Sequence, residues 1–157
     1  MGGWPCDGGT TKYGLLFRGG KLSSADRPVL VNNLGVKYDL DLRGREGGGT
    51  GDEVDMTESP LGSDIQYVRT QKYAWYALTP IETWTTYLQC VINAVKNKEP
   101  VYFHCTAGAD RTGTLACVLE GLLGMGQSDI DKDYELTCFY SGTGSPFHPR
   151  LLLRCSE

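Results

Sequence analysis

Residues 101–113 read V-Y-F-H-C-T-A-G-A-D-R-T-G, and this stretch decides the fold. Its opening is apolar, aromatic and β-branched, which predicts a short buried strand. Cys105 then opens a loop of small and polar residues, and Arg111 closes it. From residue 112 the run T-G-T-L-A-C-V-L-E carries an apolar helical pattern. The order is strand, tight loop, helix, with a thiol at the start of the loop and a guanidinium at its end.

A loop that wraps into a helix N-terminus aims several backbone N–H groups at one spot, and the helix dipole adds positive potential there. Such a spot suits a phosphate dianion and favours thiolate over thiol, the form in which a cysteine attacks. Here the cradle would be built from Thr106, Ala107, Gly108, Ala109, Asp110, Arg111 and Thr112. Arg111 offers a planar fork of donors that matches two phosphate oxygens. Gly108 and Gly113 lack Cβ, so the backbone turns sharply and approaches the ligand. Thr112 brings a hydroxyl toward the thiolate, and Asp110 a carboxyl beside the same pocket. A nucleophile, an oxyanion cradle and a proton donor so close together describe covalent phosphoryl transfer through cysteine. The bland alternative is a glycine-rich turn with a structural cysteine. It accounts for a lone Cys and Arg, but not for His104, Gly108, Thr112 and Gly113 standing beside them.

The motif H-C-T-A-G-A-D-R-T-G resembles the signature H-C-x-x-G-x-x-R-S/T of the cysteine-dependent protein tyrosine phosphatases. More narrowly it is similar to the bacterial tyrosine phosphatases with H-C-x-A-G-K-D-R-T-G, some of which also accept phosphoserine, phosphothreonine or phosphoinositides. L-F-R-G-G-K-L at 16–22 and D-L-D-L-R at 39–43 resemble the F-R-S-G-x-L and D-L-R segments of that group. The likeness spans roughly residues 2–140, and the loop is its most specific part. It implies Cys105 as nucleophile, Arg111 as phosphate ligand and Asp110 as general acid. It also implies that His104 tunes the cysteine through hydrogen bonds, and that Arg18 helps to hold the site. Ala109 departs from the pattern, standing where the bacterial group usually has lysine.

The rest of the chain sets bounds. At 157 residues it fits one domain, residues 1–157, large enough for a real core. A net charge of −4 argues against nucleic acid as a partner, which wants a basic face. No apolar run is long enough for a transmembrane segment. The six cysteines have neither C-x-x-C nor zinc spacing, and a thiolate enzyme needs Cys105 reduced, which leans to the cytoplasm. The start resembles a trimmed one, lacking the N-x-R-D-L that usually precedes Gly-Gly-aromatic in the related proteins. A removed leader would leave secretion or a periplasmic site open, and the C-terminal end is open in the same way. Oligomeric state is not legible.

In order, residues 1–14 read as turns or an irregular hairpin, and 15–18 as a strand. A helix is expected from a Ser23 or Ser24 cap to about Asn33, stopped by Gly35, with Val29, Leu30 and Leu34 facing the core. Residues 36–42 form a strand whose Asp39 and Asp41 share a face. With no third ligand they are not a metal pair; Asp41 and Arg43 are expected to brace the pocket. Residues 44–62 are a long glycine-rich loop near the mouth of the site. A strand at 65–69 and an aromatic segment at 73–78 follow. Thr79 should cap a helix to about Lys98, with Pro80 first and Ile81, Trp84, Leu88, Val91, Ile92 and Val95 inward. Further helices are expected at 112–123 and from a Ser128 cap to about Tyr140. The tail from 141 is either a short helix or a truncated end.

Strands alternating with helices predict an α/β domain, a central sheet flanked by helices as in protein tyrosine phosphatases. The expected reaction is phosphate-monoester hydrolysis through a phosphocysteine, with no cofactor and no metal. The substrate is a phosphorylated protein or peptide carrying phosphotyrosine, or phosphoserine and phosphothreonine as well. A phosphoinositide or inositol-phosphate substrate is the alternative, and a non-catalytic phosphate-binding module the third. The chain has no W-P-D loop, so the general acid is Asp110 or the upstream Asp64.

Overall fold

The computed structural model describes residues 2–46, 55–72 and 80–136. The strand expected before Cys105 is β6, Val101–His104, and it lies inside a four-stranded parallel sheet. Its neighbours are β3 (Leu16–Gly19) and β4 (Tyr38–Asp41), with β5 (Gln66–Arg69) outside β4. Register places His104 beside Gly19 on one side and Asp41 on the other. Cys105 therefore leaves the sheet between two parallel strand ends, the edge where open α/β sheets hold ligands.

Alternation along β6 builds two cores. Val101 and Phe103 are fully buried with Leu40 and Leu42, under Tyr87, Val91 and Ala94 of α1 (Ile81–Asn97). Leu115, Ala116 and Leu119 of α2 (Asp110–Leu122) join the same cluster. Tyr102 points the other way, onto Leu22, Leu30, Val36, Leu61 and Ile65. Each fully buried aliphatic or Phe side chain contributes about 1.5–3 kcal/mol. A third helix, α3 (Gln127–Glu135), packs on α2. The first residues form a hairpin of β1 (Pro5–Cys6) and β2 (Gly9–Thr10).

Several local expectations shift. The helix after β3 is a 3-10 turn, Ser24–Asp26, followed by a π-helical segment, Pro28–Asn33. Ser23 is its N-cap, and the Asp26 carboxylate accepts the Ser23 N–H at 2.7 Å. Only Leu30 of the three expected core positions is buried, because the widened turn leaves Val29 and Leu34 exposed. On α1 the inward positions are Thr83, Tyr87, Val91 and Ala94, while Ile81, Ile92 and Val95 are exposed. Pro80 is the N-cap of α1 rather than its first residue, and Gly126, not Ser128, caps α3. The aromatic segment 73–78, Thr79, the core of the glycine run at 47–54 and the tail from 137 lie outside the described residues. Among the described residues no helix is long and apolar enough to cross a membrane.

Candidate active site

Cys105 is 2% exposed, at the foot of the loop between β6 and α2. The Gly108 N–H donates to its Sγ at 3.3 Å, so at least one loop amide converges on the sulfur. Gly108 is the position where this loop needs glycine. Its φ is +78°, and a Cβ there would lie 2.5 Å from the Gly19 carbonyl carbon and 2.7 Å from the Gly20 nitrogen. The loop thus folds flat against the end of β3, fastened by Lys21 N–H to the Thr106 carbonyl at 3.0 Å. Gly113 has a different use from the one its position suggested. It is helical, and a Cβ there would lie 2.4 Å from the Tyr134 ring, so its bareness serves the α2–α3 contact.

The helix α2 starts at Asp110, so its N-terminal dipole faces the loop. Arg111 is buried, and its Nη2 donates to Thr106 Oγ1 at 3.2 Å, an arch across the two ends of the loop. Thr112 is fully buried, and its hydroxyl has no hydrogen-bond partner among the described residues. Ala109 is the N-cap of α2 and buried. Asp110 is half-buried; burial raises its carboxyl pKa, against the pull of its own backbone N–H and of Arg111. Asp64 is in the opposite condition. Arg27 donates to both of its oxygens at 2.7 and 2.9 Å, and that hydrogen bonding lowers its pKa.

Behind the loop, Asp41 and Arg43 form a buried ion pair. Arg43 Nε and Nη2 donate to the two Asp41 oxygens at 2.9 and 2.8 Å, the Arg43 backbone N–H donates to Oδ1 at 3.0 Å, and the Tyr67 hydroxyl donates to Oδ2 at 2.7 Å. Burial opposes ionisation of Asp41, yet the Arg43 bonds, the nearby His104 and Tyr67 together hold its pKa at about 2. Arg18 does not join this group. Its guanidinium reaches α3, donating to the Asp133 carbonyl at 2.7 Å and pairing with the Asp133 carboxylate at 2.8 Å. Its side chain is only 14% exposed.

Sequence reading missed the partners of these groups. Tyr87 donates to the Asp41 carbonyl at 2.9 Å from α1, and His104 Nε2 contacts Asp39 at 2.9 Å. Both pairings cross long sequence separations, so only the unexplained acid at Asp39 hinted at them. A cavity of about 530 Å³ adjoins the loop, lined among others by Lys21, Asp26, Tyr102, Thr106 and Ala107. Burial pushes the half-buried Cys90 and Cys117 thiols up to about 11.

Residues 1–148 match a family model described as the tyrosine phosphatase family. A tyrosine-protein phosphatase of Nostoc commune is 31% identical over 143 residues, covering 77% of this chain and 46% of that protein. This chain therefore spans about half the length of that relative. Among solved structures, TpbA of P. aeruginosa superposes with a TM-score of 0.59 at 17% identity, over 80% of this chain and 71% of that one. The core catalytic domain of the PP-IP phosphatase SIW14 of S. cerevisiae gives 0.59 at 19%, over 82% and 74%. DUSP15 gives 0.51 at 18%, over 80% and 72%. At these identities the superpositions establish a shared α/β fold.

Proposed function

Since the chain belongs to the tyrosine phosphatase family, we propose that it hydrolyses phosphate monoesters through a phosphocysteine at Cys105, with phosphotyrosine in a protein or peptide as substrate. The observation that carries this is the loop itself. It holds Cys105 and Arg111 at its two ends, a backbone amide on the sulfur, and the N-terminus of α2 beneath. In the first step the Cys105 sulfur attacks phosphorus while Arg111 and the loop amides hold the equatorial oxygens. The P–O bond to the leaving group breaks, and Asp110 gives its proton to the departing oxygen. In the second step Asp110, now ionised, takes a proton from water, whose oxygen attacks phosphorus and releases the Cys105 thiolate and phosphate. The Thr112 hydroxyl, which has no hydrogen-bond partner among the described residues, is the donor assigned to that returning thiolate.

The test is Cys105→Ser. Hydrolysis should fall to background while vanadate or phosphate still binds, because the cradle is backbone and Arg111 and the nucleophile is one atom. A phosphorus label trapped on cysteine after acid quench of the wild type supports the covalent step. Turnover retained in the serine variant would sink it.

A further inference from the structure

A line of hydrogen bonds runs into Cys105 from outside the loop. The Leu61 N–H donates to Ser59 Oγ at 3.1 Å, and the Ser59 hydroxyl donates to Asp39 Oδ2 at 2.7 Å. Asp39 Oδ1 lies 2.9 Å from His104 Nε2, and His104 Nδ1 lies 3.1 Å from the Cys105 carbonyl oxygen. All three side chains are buried. A carboxylate and a carbonyl only accept, so both ring nitrogens must donate. A ring that donates at both ends is positively charged, and it stands one residue before the nucleophile. Among the described residues, Asp41 and Tyr102 are the other titratable groups near it. Asp41 follows along β4 and is already paired with Arg43, and the Tyr102 ring lies 5.9 Å away on β6. On the β3 side the neighbour is Gly19, which has no side chain.

We infer that Asp39 and Ser59 are positioning residues for the nucleophile: they hold His104 donating at both nitrogens, so that the ring fixes the Cys105 carbonyl and favours the thiolate. This rests on the reading of Cys105 as the reactive cysteine, but not on any substrate. Asp39→Asn separates charge from geometry. Its amide N–H donates to Nε2, its Oδ1 still accepts from Ser59, and Nδ1–H stays on the Cys105 carbonyl. The net charge of the pair is unchanged. The ring lies between Asp39 and Cys105, so the loss of its positive charge outweighs the loss of the more distant negative one.

The experiment is alkylation of the full chain by iodoacetamide across pH, with the Cys105 peptide followed by mass spectrometry. In Asp39→Asn the pH profile of Cys105 alkylation should move to higher pH by about one unit. Alkylation is then about tenfold slower on the acid side and unchanged above the shifted midpoint. Ser59→Ala should shift the profile the same way but less, and Ser59→Thr should restore it. In a His104→Asn background Asp39→Asn should add nothing, because its effect passes through the ring. An unchanged profile, uniform slowing at every pH, or a full shift persisting without His104 would each overturn the assignment. Should Asp39→Asn not fold, the Ser59 pair decides in the same way. Alkylation needs no phosphate ester, so a wild type that alkylates as described yet hydrolyses nothing would refute the proposed function alone.

Discussion

A general acid must still hold its proton at the pH where the enzyme works, and Asp110 and Asp64 differ on that point. Burial raises the Asp110 pKa, whereas the Arg27 fork keeps Asp64 ionised. Asp110→Asn should therefore slow phosphotyrosine or alkyl phosphate hydrolysis by roughly a hundredfold, the scale of lost acid catalysis. An activated aryl phosphate, whose leaving group departs without a proton, should be slowed much less. The alkaline limb of the pH–rate profile should flatten, because the group whose deprotonation produced it is gone. The reverse pattern, with Asp64→Asn showing the loss, would place the acid upstream. Ala109 poses the specificity question at the same scale. Replacing it with lysine adds a cation for a second phosphate. The ratio of phosphoinositide to phosphopeptide turnover should rise several-fold, and an unchanged ratio would remove Ala109 from the account of substrate choice.

Helix α2 carries two glycines that the structure treats oppositely. At Gly113 a Cβ would meet the Tyr134 ring, whereas at Gly121 it would meet nothing within 4 Å. Gly113→Ala should cost about 1–3 kcal/mol by forcing α2 and α3 apart. Gly121→Ala should gain about 0.5–1 kcal/mol from the stiffer unfolded chain and better helix propensity. Urea midpoints with unchanged slopes check both, and equal effects would mean that the α2–α3 contact is looser than described. The contrast also marks what a sequence yields at this scale. The loop and the strand before it were legible because strand, Cys105, Gly108 and Arg111 are local in the chain, whereas α2 begins at Asp110, two residues before its expected start. The rotation of α1 was not legible. Apolarity favoured Ile81, Ile92 and Val95, but Tyr87 turns inward to reach the Asp41 carbonyl and Thr70, and Ala94 is small enough for close contact with the sheet. The Asp39–His104 and Arg18–Asp133 pairs escaped for a related reason, since charge pairing across the fold leaves no periodic trace.

Across the whole molecule two buried carboxyls pull stability in opposite directions with pH. Asp41, held at about 2 by Arg43, His104 and Tyr67 against the cost of burial, has a folded pKa below its unfolded one. Its contribution is present above the ordinary carboxylate range and is lost as pH falls toward about 2. Glu120 on α2 is the reverse. It is 1% exposed, and neither oxygen finds a donor among the described residues. Burial first, then the Asp133 carboxyl facing it from α3, raises its pKa, with Arg18 of β3 opposing and Cys117 alongside on α2. A carboxyl raised by folding supports the native state fully below its ordinary value of about 4.3, and that support is lost as pH rises through the folded value. The wild type should therefore lose melting temperature progressively on the alkaline side, where the Glu120 charge must form in a site that already holds Asp133. Glu120→Gln keeps the shape and removes the charge, so its melting temperature should exceed that of the wild type at alkaline pH by several degrees. The two should converge near pH 4, where the wild-type carboxyl is protonated. Thermal melts of both proteins from about pH 4 to 9 make the comparison. Parallel curves, offset equally at every pH, would show that Glu120 is uncharged throughout or reaches solvent, and that the alkaline limit of this fold lies elsewhere.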